Sequence, residues 1–347
     1  MAVAEGQGLI FGAREMSDST LRKFVNRLSF KKQEVSSERI FVGAFGKHPG
    51  WDDHIDDIGF GTDSFVAVKR TLYVQGIGGN IDSGAWDKLA SENIVEGFRH
   101  VFVWCMEGGI IVGRMWSSRD GKGRTSYPMV VCVQCRRLPV RWILDSILPG
   151  LESIEQRCIA AGSAAEVRTI IENAQREFRA LAQAFEDTVE SPVVYADSLS
   201  RLAEIPEMGP RGEGLLRILY HIDREAGRFH GEATGGAALR PVLLRVPAFG
   251  SATTEGVLTW ISFLLSRFGM SMPVLVLVPL GKGWADIIMG EPSEVQLRCL
   301  RVSLGAIPLT SSIPYNMGSE FVDQVSKLIE DSRSGGAEAD SHTKTWI

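Results

Sequence analysis

Ten residues, Phe45-Gly46-Lys47-His48-Pro49-Gly50-Trp51-Asp52-Asp53-His54, place a lysine, two histidines and two carboxylates in one turn-forming stretch. The apolar run Ile40 to Phe45 ahead of them reads as a short buried strand. Gly46 frees the backbone for conformations other residues avoid, and Pro49 stops any regular element. Asp56 and Asp57 extend the acidic character. Several chemistries fit such a loop. His48, Asp52, Asp53 and His54 are residue types that bind Zn or Mn and would serve a metal-dependent hydrolase, although their spacing matches no metalloprotease helix or EF-hand loop. A P-loop is a poorer fit, because Phe41 stands where its first glycine belongs and His48 follows the lysine. In the simplest reading Gly46 and Pro49 fix a bend and Asp53 caps the next segment. Contact with a protein partner is the remaining use of an exposed loop.

A second polar loop follows about seventy residues later. Val101 to Cys105 and Gly109 to Trp116 read as paired strands around a Glu107-Gly108 turn. The loop from Ser117 to Arg124 comes next, and Tyr127 to Val133 reads as another buried strand. Gly46-Lys47-x-Pro49-x-x-x-Asp53 and Ser118-x-Asp120-x-x-Gly123-Arg124-x-x-Tyr127-Pro128, taken together, resemble the motifs of the TagF family, also called ImpM. Those are bacterial proteins encoded with type VI secretion systems. The likeness covers residues 38 to 136. It departs from the family pattern at Asp52, where glycine is usual, at His54, where an apolar or aromatic residue is usual, and by one extra residue before Pro128.

The resemblance implies a cytoplasmic accessory protein with a three-layer α/β/α core, no catalysis and no cofactor. It would restrain secretion post-translationally by engaging the forkhead-associated scaffold protein of the apparatus, beside a kinase and phosphatase pair. Gly46, Lys47, Pro49, Asp53, Ser118, Asp120, Gly123, Arg124 and Pro128 would then form an interaction surface or brace the loops that carry it.

The elements that must position these residues come from hydrophobic periodicity. Phe65, Val66, Val68, Leu72 and Tyr73 predict a helix closed by a Gly76-Ile77-Gly78-Gly79-Asn80 loop. A helix is expected over Arg141 to Ala160. The next opens with Ser163-Ala164-Ala165-Glu166, a capping box, and carries Val167, Ile170, Ile171, Ala174, Phe178, Leu181 and Phe185 on one face. Leu215 to Phe229 reads as helical. Strand Pro241 to Val246, helix Val257 to Phe268 and strand Val274 to Val278 predict a βαβ crossover with parallel strands in one sheet. Asp286 to Met289 is expected at a sheet edge, and Phe321 to Ile329 as a last helix. The expected fold is therefore an α/β, three-layer α/β/α sandwich with a mixed sheet. Residues 1–37 form a leader, 38–136 a first α/β unit, 137–235 a helical insertion, 236–331 a second unit and 332–347 a disordered tail.

In the leader, Leu21, Phe24, Val25 and Leu28 fall at helical spacing among basic residues. Such a helix would dock on the protein, on a partner or on an anionic membrane surface. Composition narrows the function classes. A net charge of −5 gives no reason to expect nucleic-acid binding. Five cysteines, an odd number, favour a reducing compartment, and Cys132 and Cys135 lie inside a strand where neither a redox motif nor a zinc ribbon would place them. No signal peptide is expected at Leu9-Ile10-Phe11. The longest apolar window, Val257 to Leu280, is interrupted by Arg267, Gly269 and Pro273, so no bilayer span is expected. There is no G-x-S-x-G, no H-E-x-x-H and no kinase signature, which predicts a protein that is not an enzyme.

Overall fold

Alternation along the strands decides the architecture. In the strand Arg99–Met106, Val101, Val103 and Cys105 point into one core while Phe102 and Trp104 point into another. A sheet buried on both faces needs a layer of helices on each side. The computed structural model describes residues 38–185, 196–209, 212–230, 241–248, 253–269 and 272–333. The expected leader helix at Leu21–Leu28 and the tail beyond Arg333 lie outside the described residues. Ser332 and Arg333, expected in that tail, instead close the last helix.

Among the described residues seven strands form one sheet: β1 (Ile40–Gly46), β2 (Arg99–Met106), β3 (Gly109–Ser117), β4 (Pro128–Cys135), β5 (Val242–Pro247), β6 (Val274–Pro279) and β7 (Trp284–Met289). Their order is β1-β4-β3-β2-β6-β7-β5. Every neighbouring pair is antiparallel, which corrects the expectation of a mixed sheet. The predicted crossover exists, but β7 has entered between its two strands. β5 and β6 run the same way only because each pairs antiparallel with β7. β7 is thus interior, where the sequence placed it at an edge, and β5 is the edge. Asp286 is buried because Arg245 of β5 grips it with two hydrogen bonds, Nε–Oδ1 at 2.7 Å and Nη2–Oδ2 at 2.9 Å.

One face of the sheet is covered by α1 (Asp63–Val68), a π-helix (Lys69–Gly78), α2 (Gly79–Asp82) and, from the far end of the chain, residues Leu297 to Val302. The glycine cluster at 76–79 therefore continues a helix and does not end one as a loop. Its glycines permit close packing: a Cβ on Gly76 would sit 2.4 Å from Leu297 Cδ1, and one on Gly79 would meet Glu294 Oε2 at 2.7 Å. The other face is covered by α3 (Val140–Ser146), α4 (Leu148–Ala160), α5 (Ala164–Ala184), α6 (Ala196–Ala203), α7 (Glu213–His230), α8 (Thr253–Phe268) and the final helix, α10 (Ser319–Arg333), while the short α9 (Glu294–Leu297) lies on the first face against Gly76 and Gly79. The single helix expected over 141–160 is two, α3 and α4, with Pro149 in the first turn of α4.

Helix α5 matches its prediction in extent, but only half of the expected capping box forms. Ser163 adopts extended angles and its hydroxyl accepts from the Glu166 N–H, while the Glu166 carboxylate accepts from the Gly162 N–H. Val167, Ile171, Ala174, Phe178 and Ala182 are buried against the sheet, each large side chain contributing about 1.5–3 kcal/mol. Leu181, counted in the stripe, is exposed. The five cysteines are free and buried.

Candidate functional site

Both motif loops leave the same end of the sheet. β1 ends at Gly46, which pairs with Met129 of β4, so the start of the first loop lies beside the end of the second. Gly46 has φ +111°, and a Cβ there would approach the Pro128 carbonyl oxygen to 2.2 Å. Only glycine fits. Lys47 N–H then donates to Pro128 O at 3.1 Å, locking the second residue of one motif to the last of the other. Further along, Gly121 N–H donates to Trp51 O at 2.6 Å.

The charges meet on this frame. Lys47 is buried, and its Nζ donates to Asp120 Oδ2 at 2.6 Å and lies 3.4 Å from Asp53 Oδ1. Asp120 is also buried and takes four hydrogen bonds. Its Oδ1 accepts the backbone N–H of Lys122 and of Arg124, at 3.0 and 2.9 Å, which closes the loop on itself. Its Oδ2 accepts Lys47 Nζ and, at 2.7 Å, Arg124 Nε. Burial by itself would raise the Asp120 carboxyl, but hydrogen bonds from Lys47 and Arg124 outweigh it and hold the group well below the usual carboxylate range. Arg124 Nη2 reaches on to Asp53 Oδ1 at 3.0 Å and to the Asp52 carbonyl at 3.0 Å. Partial desolvation pushes Asp53 up, and Arg124, Lys47 and His54 together bring it net below its ordinary value. Gly123, at φ +83°, allows the chain to turn so that Arg124 faces back.

The residues named from sequence therefore divide. Gly46, Lys47, Asp53, Asp120, Gly123, Arg124 and Pro128 come together. Ser118 stands apart: its hydroxyl makes no hydrogen bond among the described residues, and it lines a neighbouring cavity together with Pro49. The proposed metal ligands do not converge. His48 is buried and turned inward, with Nε2 2.9 Å from the Cys158 carbonyl and Nδ1 accepting the Gly50 N–H at 3.0 Å. Both ring nitrogens are engaged, which fixes the neutral tautomer and leaves no lone pair for a cation. His54 lies on the other side of the loop, edge-on to Tyr73 and Tyr127, with Nδ1 3.0 Å from Asp53 Oδ1. Asp56 pairs with Arg168 at 2.6 Å and Asp57 with Lys69 at 2.6 Å. Among the described residues no three His, Cys, Asp or Glu side chains are grouped to hold a metal ion.

Sequence reasoning missed what holds the first loop to the helical layer. His48 bonds the C-terminal turn of α4, Arg168 of α5 reaches Asp56 and stacks over Trp51 at 5.7 Å, and Gly50 packs against the start of α5, where a Cβ would lie 2.5 Å from Ala164 N. None of the three leaves a signal at the level of local spacing. The described helices include none long and apolar enough to cross a membrane.

No known family model matches the chain, and no curated protein does. Among solved structures, the crystal structure of PA0076 from Pseudomonas aeruginosa PAO1 is similar at 19% sequence identity with a TM-score of 0.28, over 42% of this chain. The chain spans 64% of that protein's length.

Proposed function

We propose that this protein is a non-enzymatic regulatory or accessory protein of a bacterial type VI secretion system, acting by protein–protein contact made by the two-loop end of its sheet. The reading rests on the motif resemblance and on one observation: Lys47, Asp120, Arg124 and Asp53 form a continuous ion-pair chain joining the two motif loops. Its inner half, Lys47 and Asp120, is buried and self-satisfied, which suits a brace. Its outer half is exposed, with 51% of the Arg124 side chain and 61% of the Asp53 side chain open to solvent. Rigid positioning of an exposed charge pair by a buried one is how a surface is pre-organised for a partner. The proposed partner is the forkhead-associated scaffold of the apparatus, in the cytoplasm.

Arg124→Ala and Asp53→Asn test this against that scaffold in a calorimetric binding assay. The expected result is a loss of binding of tenfold or more. For Asp53→Asn the expected fall in Tm is about 2 °C, since half-exposed pairs are worth less than about 1 kcal/mol. For Arg124→Ala it is larger, because a bond to buried Asp120 is also lost. Undiminished binding by both variants would remove the two-loop face from the interaction.

A further inference from the structure

Beside the brace lies a cavity of about 740 Å³ whose wall is unusually cationic for an acidic chain. Arg119 and Arg301 contribute guanidinium groups to it, and no aspartate or glutamate lines it. Arg119 is exposed and makes neither an ion pair nor a hydrogen bond among the described residues. Arg301 is held flat, with its guanidinium carbon 5.3 Å from the Trp86 ring and 5.8 Å from the Phe98 ring, and its Nε directed to Val95 O at 3.4 Å. Its two terminal nitrogens have no partner among the described residues. Near the loops Lys47 and Arg124 are matched with Asp120, Lys69 with Asp57 and Arg168 with Asp56. The two cavity arginines, like Lys122 on the same loop, make no ion pair among the described residues.

Hydroxyl donors complete the wall. Ser118, Thr125 and Ser126 line the cavity, and none of their hydroxyls makes a hydrogen bond among the described residues. His48 also borders it, but as a neutral ring whose nitrogens are already used. Two guanidinium forks and three free hydroxyls offer more donors than the two oxygens of a carboxylate can absorb. A phosphomonoester presents three strong acceptor oxygens with nearly two negative charges and takes guanidinium groups in paired bonds. The volume falls in the range that holds an organic ligand, far more than a bare phosphate fills, and Phe98, Trp116 and Ile159 give the wall an apolar side.

We infer that this cavity binds a phosphomonoester carried on an organic body, with Arg119 and Arg301 clamping the phosphoryl group and the hydroxyls of Ser118, Thr125 and Ser126 completing its shell. The inference rests on the reading of the two-loop end as a recognition surface, since the loop that carries Asp120 and Arg124 also supplies most of the cavity's polar wall. It assigns Ser118, which with Pro49 stands outside the brace, a role of its own.

The full chain is titrated calorimetrically with a phosphoserine-containing peptide, its unphosphorylated counterpart, adenosine monophosphate and inorganic phosphate. Saturable binding of a phosphomonoester, tighter than that of inorganic phosphate and absent for the unphosphorylated peptide, is expected. Arg119→Ala should weaken it at least tenfold without moving Tm, because Arg119 is exposed and makes no ion pair or hydrogen bond among the described residues, and Arg119→Lys should restore part of it. Arg301→Gln should weaken it similarly, with near-ultraviolet circular dichroism reporting whether Trp86 and Phe98 stay packed. Preference for the peptide assigns the group to a phosphorylated protein side chain, and preference for the nucleotide to a small metabolite; either supports the inference. No saturable binding of any phosphomonoester, inorganic phosphate binding as tightly as the rest, or binding indifferent to Arg119→Ala would overturn it. Scaffold binding that fails while phosphomonoester binding survives would sink the proposed function alone.

Discussion

An ammonium with 4% of its side chain exposed persists at position 47 only because Asp120, itself buried, lies 2.6 Å away. Burying one charge would be prohibitive; burying the pair is tolerable when hydrogen bonds occupy the remaining oxygens, as the Lys122 and Arg124 amides do. Lys47→Met should therefore cost about 3 kcal/mol, the lower end for stranding a buried charge, because Arg124 still serves Asp120. Urea denaturation followed by fluorescence measures it. A loss under 1 kcal/mol would mean that the pair is not a brace. Acid acts on a different residue first. His100 is buried in β2, its Nδ1 accepting the Arg99 N–H, and burial pushes its pKa down from 6.5 to about 4 despite a backbone hydrogen bond with Leu300. The unfolded chain takes up a proton below pH 6.5 and the folded chain does not until about pH 4. Stability should thus be full above pH 6.5 and fall through that window, by roughly 3 kcal/mol at its lower end. Asp120, whose folded value is depressed, adds its own loss only below the ordinary carboxylate range. His100→Asn should flatten the slope between pH 6.5 and 4 in urea melts taken at several pH values.

Among the elements, β1 shows how the edge of the sheet is managed. Its outer side faces no strand, yet Val42 N–H donates to Gln175 Oε1 at 2.6 Å and Gln175 Nε2 donates to Ile40 O at 3.0 Å. One side-chain amide of α5 mimics a strand and closes the edge that carries Gly46 and Lys47. Gln175→Ala should cost about 1–2 kcal/mol by leaving both backbone groups unpaired. It should also promote self-association, visible as a concentration-dependent rise in mass by light scattering. A variant that is equally stable and strictly monodisperse would show the edge to be protected by other means. The physical reasons for what was and was not legible in the sequence also appear at this scale. Helix α5 could be read because its cap and stripe are local, and the β2–β3 hairpin because strand, turn and strand are contiguous. Convergence of the two loops was readable as a possibility, since each begins or ends a strand. The burial of Lys47, the inward turn of His48 and the interior place of β7 were not, because each depends on a partner between 41 and 110 residues away. The π-helix was misread for a related reason. Gly76 and Gly79 look like a flexible loop until Leu297 and Glu294, supplied by the far end of the chain, pack against them.

For the molecule as a whole, the question is whether the early and late strands make one cooperative body. The sequence divides them into units at 38–136 and 236–331, but β2 pairs with β6 over six residues, from His100 opposite Pro279 to Cys105 opposite Val274. Residues Leu297 to Val302 then return to cover the face built by α1 and the π-helix. Arg245 sits at the far end of this arrangement. Besides Asp286, it donates to the carbonyls of Cys299, Val302, Ser303 and Ile307, and its guanidinium lies 5.0 Å from the Trp284 ring. It ties β5 and β7 to the segment that covers the opposite end of the core. Arg245→Met would leave a buried carboxylate and several carbonyls unpaired, a cost of about 3–5 kcal/mol. If the sheet is one cooperative unit, that loss lowers a single melting transition as a whole, and tryptophan fluorescence and far-ultraviolet circular dichroism shift together. Adding Asp286→Leu should recover part of the loss, because the double variant buries no unpaired charge. Two separated transitions, with the β2–β3–β4 portion melting later, would instead show that the β2–β6 seam joins two independently stable halves. In that case the two-loop end would keep its brace after the β5–β7 end had unfolded.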